Sequence, residues 1–256
     1  ATDRAGFSYE ILVVDNNAQD QTVAMLRQNF PQVILIANKQ NKGFATAVNQ
    51  ALAQAKGDWL LLLNPDMQVR SDTLKIMLTW LNNHPSVAAA SCRLINQREE
   101  IIRHVRRWPS LLNQLSIIFK LPHFFPKILD HYLRADFDYQ RSQPVDSVRG
   151  SFLFLKRATV NLVGPLDERY FLWFEDVDYC RALKNLNLEL WYVAEATCFD
   201  YIGQSFKQIK LLTGQKYFKA SMLKYFAKWR KPWEYKVLKV LVKIDLFVVK
   251  IFDQNV

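Results

Sequence analysis

Short apolar runs alternate with segments of helical spacing through the first half of the chain. Apolar runs of about four to eight residues that end in polar turns predict buried strands, and apolar residues that recur every three to four positions predict helices. This alternation predicts an α/β fold, with a doubly wound, mostly parallel sheet flanked by helices. The predicted strands are 9–14, 33–37, 58–63 and 87–91, and the predicted helices between them are about 20–29, 46–56 and 71–83.

The pattern is interrupted at residues 103–143, where prolines break several apolar stretches. A helical insertion, a mobile lid and an acceptor-binding surface are all compatible with this composition. The regular pattern returns with a strand predicted at 145–155. It contains Gly150, and a glycine inside a strand indicates a bulge or the close approach of a ligand. A helix predicted at 176–186 and a strand at 188–193 complete the α/β region.

Residues 206–256 are predicted to form a basic amphipathic helical tail, broken near Pro232. Lysines recur at helical spacing on one stripe, so no run of the ~20 apolar residues that a transmembrane helix needs remains. The pattern favours an interfacial helix in peripheral contact with a membrane, which the neighbouring Trp229, Trp233 and Tyr235 support. The alternative is a terminal helix that packs on the domain or on a partner chain.

Composition narrows the class of protein. Half of the 256 residues are hydrophobic and 13% are aromatic, which is enough for a large core and excludes a disordered chain. Three cysteines without CxxC spacing argue against a disulfide or zinc framework and favour a reducing, cytoplasmic compartment. The net charge of +10 favours an anionic partner such as a phosphate or a membrane surface. Nucleic acid is not an expected partner, because no recognised nucleic-acid motif accompanies the charge.

Two acidic sites that follow apolar runs are the main candidates for chemistry. The first is Asn64-Pro65-Asp66, directly after the run 59–63. Open α/β sheets bind ligands at the carboxyl ends of their strands, and Mg²⁺ or Mn²⁺ commonly bridges a carboxylate to substrate phosphates. This position makes Asp66 a candidate metal ligand, with an ordinary Asn-Pro-Asp turn as the alternative.

The second acidic site is the cluster of Glu175, Asp176 and Asp178 at a predicted helix start. Crowded carboxylates in apolar surroundings raise one another's pKa, which suits a general base. The alternative is stabilisation of the helix dipole, for which one or two acidic residues would suffice.

Two further loops could approach a nucleotide. Asp15 ends the first strand and opens a polar loop that includes Asn17, and helix capping is the alternative role for this loop. Gly43 would let the backbone approach a ligand closely, and Lys42 could offset phosphate charge. An ordinary loop before a helix explains the same two residues.

Five segments in this order resemble the family-2 inverting glycosyltransferases with the GT-A fold, and especially their rhamnosyltransferase-like branch. The resemblance covers roughly residues 9–205. It implies transfer of rhamnose or another hexose from a nucleotide-sugar donor to a glycan or lipid-linked acceptor in cell-surface polysaccharide synthesis, with Mn²⁺ or Mg²⁺ as cofactor. The five segments are VVDNNAQDQT, NKGFATAVNQAL, LLLNPDMQV, RGSFLFLKR and FLWFEDVDYCRAL.

The resemblance also implies a role for each candidate residue. Arg181 would help to hold the acidic loop, and Asp200 would replace a histidine that the family often has before a Gly-x-Ser, here Gly203 and Ser205. By resemblance, the nucleotide-sugar-binding residues would be Asp15, Asn17, Lys42, Gly43, Asn64 and Gly150, the metal ligands Asp66 and Asp200, and the base Asp176, supported or replaced by Glu175.

The resemblance divides the chain into a glycosyltransferase domain at 1–205, with a variable helical insertion at about 103–143, and the tail at 206–256. The family normally opens with a strand and a helix ahead of the strand at 9–14, which implies an N-terminally truncated sequence. A catalytically impaired remnant that binds nucleotide-sugar or membrane and acts with a partner is therefore the alternative function. The expected location is the inner face of the cell membrane.

Overall fold

The computed structural model describes residues 6–201 and 211–253. Each predicted strand and helix of the α/β region has a counterpart in the predicted order, and further elements that were not predicted lie between them. The strands are Leu12–Asp15 (β1), Ile34–Ala37 (β2), Trp59–Leu63 (β3), Met67–Val69 (β4), Val87–Ile95 (β5), Val105–Arg106 (β6), Gln143–Pro144 (β7), Ser147–Val148 (β8), Phe152–Lys156 (β9) and Glu189–Asp200 (β10). The α-helices are Thr22–Asn29 (α1), Phe44–Gln54 (α2), Thr73–Asn83 (α3), Leu111–Ile118 (α4), Arg157–Val163 (α5), Glu175–Asn185 (α6), Leu211–Trp229 (α7) and Pro232–Asp253 (α8).

The central sheet is mixed. Its strand order is β3-β9-β5-β10-β4, and β7 also pairs with β10. Among the described residues, β5 and β10 form its one parallel pair, because β9 runs antiparallel to β3 and β5, and β4 and β7 run antiparallel to β10. The α/β class is confirmed, whereas the expectation of a mostly parallel sheet is corrected. Hydrophobic periodicity does not encode strand direction, and β9 follows an irregular segment rather than a crossover helix.

Two strand pairs lie outside this sheet. β1 and β2 form a parallel pair in which Asp15 lies opposite Ala37, and within the described residues it is not hydrogen-bonded to the central sheet as a strand. β6 and β8 form a short antiparallel pair. The single strand predicted at 145–155 is therefore two strands, β8 and β9, which are separated by a turn at Gly150 and Ser151.

Helices cover both faces of the central sheet, which explains the continuous apolar runs of its strands. Leu153 and Leu155 of β9 lie in the buried cluster that includes α6, whereas Phe152 and Phe154 lie in the cluster that includes α3. Burial of each large apolar side chain contributes about 1.5–3 kcal/mol, so the strand ends that carry the acidic segments are held by a rigid frame.

The segment at 103–143 contains α4 and two short 3-10 helices, Leu121–His123 and Pro126–Leu129. At the start of α4, Ser110 and Asn113 each accept the other's backbone N–H, which forms a reciprocal capping box. α4 packs against both 3-10 helices and against α8. Helical structure therefore accounts for a large part of this segment.

The two C-terminal helices pack on the α/β region through one face, as the docked-helix alternative predicts. Pro232 occupies the first turn of α8, where its missing N–H carries no cost, and separates α8 from α7. No helix in the described ranges combines the length and apolar character needed to cross a membrane. The buried cluster that joins the tail to the rest of the chain contains Ile118, Tyr170, Phe174, Met222, Tyr225, Phe226, Leu238 and Val242.

Candidate active site

The backbone immediately before α6 adopts an uncommon conformation. Trp173 and Phe174 both have left-handed backbone angles, with φ of 63° and 69°. Consecutive non-glycine residues in this region are unusual, and such strain concentrates at functional sites. The buried side chains of Tyr170 and Phe174 hold this bend in the core, and Glu175 begins α6 directly after it.

Asp176 is fixed by two backbone amides. Its Oδ2 accepts the N–H of Gly150 at 3.0 Å, and its Oδ1 accepts the N–H of Val177 at 2.7 Å. A Cβ at Gly150 would lie 3.0 Å from the Cβ of Asp176. The close approach that was predicted for Gly150 is therefore made to the candidate base itself.

Glu175 lies beside Asp176 in an apolar niche formed by Phe44, Leu62 and Tyr179. Its residue surface is 7% exposed, and Oε2 has no hydrogen-bond partner among the described residues. Burial, and next the negative charge of Asp176, raise the pKa of Glu175 to about 8. Glu175 is therefore a buried carboxyl group that can exchange a proton near neutral pH.

Asp178 has a different role from its two acidic neighbours. It is buried, and its Oδ1 accepts from the Tyr170 hydroxyl at 3.0 Å and from the Trp229 indole at 2.6 Å. Its Oδ2 accepts from Lys228 at 2.8 Å. These contacts make Asp178 an anchor for α7, so only part of the acidic cluster points to chemistry.

The acidic site at Asn64-Pro65-Asp66 also includes Asp200, since Asp66 directly precedes β4 and Asp200 ends β10. The two strands are antiparallel, with Asp200 opposite Met67, and the N–H of Tyr201 donates to the backbone oxygen of Asp66 at 2.9 Å. Burial raises the pKa of Asp200, the Arg149 charge opposes the rise, and the Asp66 charge adds to it. The two predicted metal ligands are therefore close enough to interact electrostatically.

The donor chemistry at this site fits a divalent cation. Mg²⁺ is usually bound through one or two carboxylates plus substrate phosphates, and Asp66 and Asp200 provide two carboxylates. Asp200 is 3% exposed and ion-paired with Arg149 at 3.1 Å. Within the described residues, no group of three or more His, Cys, Asp or Glu side chains is assembled. The remaining ligands would thus come from the substrate.

A single turn contacts both acidic sites through neighbouring residues. Arg149, which contacts Asp200, immediately precedes Gly150, which contacts Asp176. Ser151 follows, and its carbonyl accepts the N–H of Asn64 at 3.0 Å. Asn64 also closes the turn of Asn64-Pro65-Asp66, since its carbonyl accepts the Met67 N–H at 3.1 Å. Arg149 was not predicted as a site residue, although its position beside Gly150 in the RGSFLFLKR segment was a signal.

The predicted nucleotide loops lie together around Asn16. Its Oδ1 accepts from the Asn38 amide at 3.2 Å and from the Lys42 N–H at 3.0 Å, and its Nδ2 donates to the Gly43 carbonyl at 3.1 Å. Asp15 is buried at the end of β1, whereas Asn17 and Lys42 are exposed. Asn16 is a further site residue, which joins the two loops, and its position directly after Asp15 was the signal for it in the sequence.

Gly43 links these loops to the α6 bend. It has φ of 87°, and a Cβ there would lie 2.8 Å from the carbonyl oxygen of Phe171. The Phe44 N–H donates to that same oxygen at 2.8 Å. The close approach predicted for Gly43 is therefore to the Phe171 backbone, which brings the Asp15 loop and the Glu175 segment together.

Three predicted residues lie away from the site or outside the described ranges. The Arg181 guanidinium stacks over the Trp108 ring, 4.9 Å from its centroid, so it contacts the 103–143 segment. Gly203 and Ser205, which the resemblance placed after Asp200, lie outside the described residues.

Comparison with solved structures identifies the fold as that of the GT-A glycosyltransferases. GalNAc-T7, solved with UDP, GalNAc and Mn²⁺, superimposes with a TM-score of 0.55 at 12% identity, over 84% of this chain and 42% of that one. The mannosyltransferase PcManGT of Pyrobaculum calidifontis, in complex with GDP-Man and Mn²⁺, superimposes with a TM-score of 0.54 at 17% identity. The match covers 93% of this chain and 60% of that one.

The sequence comparison is more specific. Residues 3–140, more than half of the chain, match the model of glycosyl transferase family 2, and the chain belongs to this family. It is 28% identical over 180 residues to the N-acetylglucosaminyl-diphospho-decaprenol L-rhamnosyltransferase of Mycobacterium tuberculosis, which is 66% of this chain and 58% of that relative. It is also 24% identical over 200 residues to the rhamnosyltransferase WbbL of Escherichia coli K12. That match covers 75% of this chain and 73% of WbbL. The chain thus spans less than two thirds of the first of these relatives.

Proposed function

We propose that this chain is an inverting glycosyltransferase that moves rhamnose or another hexose from a nucleotide-sugar to an acceptor hydroxyl. The observation that carries the proposal is the turn at Arg149, Gly150 and Ser151. It connects the acidic pair Asp66 and Asp200 with the candidate bases Glu175 and Asp176. Metal-ligating carboxylates and a proton acceptor on one short frame are the two elements that sugar transfer from a diphosphate requires.

The donor would bind where the three loops meet. Asp15 and Asn17 would contact the nucleotide, and Lys42, Gly43, Asn64 and Gly150 would line its path toward the α6 bend. Asp66 would hold Mn²⁺ or Mg²⁺. Asp200 would be a second ligand if it exchanged its ion pair with Arg149 for a contact with the metal. A bound divalent ion would offset the negative charge of the departing diphosphate.

The acceptor hydroxyl would lose its proton to the Glu175–Asp176 pair. Its oxygen would then form a bond to the anomeric carbon while the bond from that carbon to the diphosphate oxygen breaks. Attack opposite the leaving group inverts the configuration. Asp176 is the proposed base because its carboxylate is oriented by Gly150 and Val177, and Glu175 would support or replace it.

The acceptor would be a glycan or a lipid-linked glycan of cell-surface polysaccharide synthesis. The name of the M. tuberculosis relative describes an acceptor on diphospho-decaprenol, which supports a lipid-linked acceptor. A membrane-bound acceptor favours a location at the inner face of the cell membrane. The exposed side of α8, with Lys236, Lys239 and Lys243, would make the peripheral contact.

The test is binding and hydrolysis of a panel of UDP-, GDP- and dTDP-sugars with Mn²⁺ or Mg²⁺, using the purified chain, Asp66→Ala and Asp176→Asn. Metal-dependent turnover that both substitutions abolish is the expected result. Donor binding without turnover in the unsubstituted chain would instead favour the alternative function, a nucleotide-sugar-binding protein that acts with a partner. Neither binding nor turnover with any donor would contradict the proposal.

A further inference from the structure

The turn between the two 3-10 helices exposes an unusual apolar surface. All six residues from His123 to Ile128 are exposed, including Phe124 at 77% and Phe125 at 61%. Exposed phenylalanines that follow each other directly are costly in water, and such patches typically mark an interaction site. Lys127 lies beside them, and Lys120 lies four residues before Phe124.

The exposed side of α8 carries a second surface of the same kind. Trp233, Val237, Val240 and Ile244 recur at helical spacing and are all exposed. Lys236, Lys239 and Lys243 are exposed beside them. Aromatic and aliphatic side chains flanked by lysines are typical of a helix that lies in a membrane interface.

Basic side chains outnumber acidic ones at both surfaces. Residues 111–129 contain no Asp or Glu. In the described part of α8, Glu234 is buried and held by Arg230, and Asp245 is paired with Lys219 of α7. The charge that the two surfaces present is therefore positive, which is complementary to an anionic partner.

The two surfaces flank one helix. α4 packs against α8 and also against both 3-10 helices. Ile118, at the end of α4, shares a buried cluster with Leu238 and Val242 of α8. The Phe124–Phe125 turn and α8 thus belong to one unit, which is packed around α4.

This unit lies beside the candidate active site. The 3-10 helices lead to Tyr132, whose carbonyl accepts the Arg107 N–H at 2.9 Å. The Arg106 guanidinium lies over the Tyr132 ring, 6.0 Å from its centroid, and Ile118 of α4 shares a buried cluster with Phe174, which directly precedes Glu175. A surface that binds lipid here would bring a lipid-linked acceptor to the base.

We propose that the Phe124–Phe125 turn and the exposed side of α8 together form a docking surface for an anionic lipid bilayer. The phenylalanines enter the interface between head groups and acyl chains, and the lysines contact anionic head groups. The proposal rests on the proposed function, because it gives the lipid-linked acceptor a route to Asp176. Its test measures membrane binding and does not depend on enzymatic turnover.

The test is vesicle flotation of the full chain with phosphatidylglycerol–phosphatidylcholine vesicles and with pure phosphatidylcholine vesicles. The unsubstituted chain should float with the anionic vesicles. Phe124→Ser combined with Phe125→Ser should lower partitioning at least about tenfold, since two large apolar side chains no longer leave water. Lys236→Gln, Lys239→Gln and Lys243→Gln should each lower it about fivefold. The matched control is Leu162→Ser, which removes a side chain of similar exposure from α5.

Equal flotation of the Phe124→Ser, Phe125→Ser variant and the unsubstituted chain would overturn the proposal, as would an equal loss in Leu162→Ser. Sedimentation velocity tests whether a second copy of the chain covers this surface instead of lipid. A dimer that the phenylalanine substitutions convert to a monomer would make the surface a subunit interface and overturn the proposal. Donor hydrolysis without vesicles is measured in parallel and should be unchanged in the phenylalanine variant. Flotation as expected with no hydrolysis would contradict the proposed function and leave the docking surface supported.

Discussion

Lys228 of α7 donates to Asp178 of α6 at 2.8 Å, two residues after the candidate base. Lys228 also contacts Asp167 at 3.1 Å, and the neighbouring Trp229 donates to Asp178 at 2.6 Å. The C-terminal helices are therefore joined to the first turns of α6 by charge and hydrogen bonds as well as by apolar packing. The tail contributes to the frame of the site rather than standing apart from it.

Asp178→Ala is expected to destabilise the chain by about 2–4 kcal/mol, because it leaves the buried Tyr170 hydroxyl and the half-buried Trp229 indole without their acceptor and leaves Lys228 with Asp167 alone. Lys228→Met should cost less, about 1–3 kcal/mol, since Asp178 retains Tyr170 and Trp229. Denaturant unfolding measures both effects. Lys184→Met, which removes an exposed lysine from the last turn of α6, is the control and should stay within about 0.5 kcal/mol. An Asp178→Ala variant as stable as this control would show that the anchor is not needed.

Glu175 should make stability depend on pH. The pKa of Glu175 is about 8 in the folded chain and near the ordinary glutamate value of 4.5 when the chain is unfolded. Between these values the folded chain holds the proton that the unfolded chain releases, so folding is favoured at the acid end and stability falls as pH rises toward 8. The slope for one such group is at most about 1.4 kcal/mol per pH unit.

Unfolding free energies measured at several pH values from 5 to 9 check this expectation. Glu175→Gln should remove the decline and be more stable than the unsubstituted chain at the alkaline end. Glu168→Gln, at a carboxylate near the surface, serves as the control and should keep the decline. If the slopes of Glu175→Gln and the unsubstituted chain coincide, the burial of Glu175 does not raise its pKa.

Gly150→Ala is expected to reduce turnover strongly with a small effect on stability. The added Cβ would lie 3.0 Å from the Cβ of Asp176, so the carboxylate that the Gly150 N–H orients must move. A displacement of this kind can cost about 100-fold in rate. Gly57→Ala is a matched control, because its Cβ would be similarly crowded, 3.1 Å from the Trp59 carbonyl oxygen. Gly57 lies before β3, at the end of that strand away from the candidate site. Donor hydrolysis and thermal melting of both variants separate loss of activity from loss of fold, and equal turnover in the two would contradict the role of Gly150.

The strand ends could be located from the sequence because a buried strand followed by a carboxylate is a local pattern. Asp66 is found in this way, whereas Glu175 and Asp176 follow a bend and are found because acidic residues begin a helix directly after an apolar run. Strand direction could not be predicted, since β9 has the same periodicity whichever way it runs. The roles of Asp178 and Gly43 could not be predicted either, because their partners, Lys228 and Phe171, are distant in sequence. Local composition reveals where a group lies on an element, whereas its partner is decided by packing.

Asn16 illustrates the same limit within the nucleotide loops. Its neighbours in sequence suggest only a polar turn, but its side chain joins β1 to the loop before α2 through Asn38, Lys42 and Gly43. A short side chain with both donor and acceptor atoms can form such a junction, yet nothing in the sequence states which of several asparagines does so.

Asp66→Asn should weaken metal binding in the presence of nucleotide and abolish metal-dependent donor hydrolysis. The substitution keeps the size of the side chain and the backbone contact to Tyr201 but removes the charge that a divalent cation requires. Titration of Mn²⁺ with UDP, followed by electron paramagnetic resonance, measures affinity independently of turnover. The control is Asp58→Asn, which removes an exposed carboxylate directly before β3, at the end of that strand opposite the Asn64-Pro65-Asp66 turn. This variant should bind Mn²⁺ as the unsubstituted chain does. Unchanged affinity in Asp66→Asn, together with lost affinity in Asp200→Asn, would place the metal on Asp200 at the end of β10 rather than on Asp66.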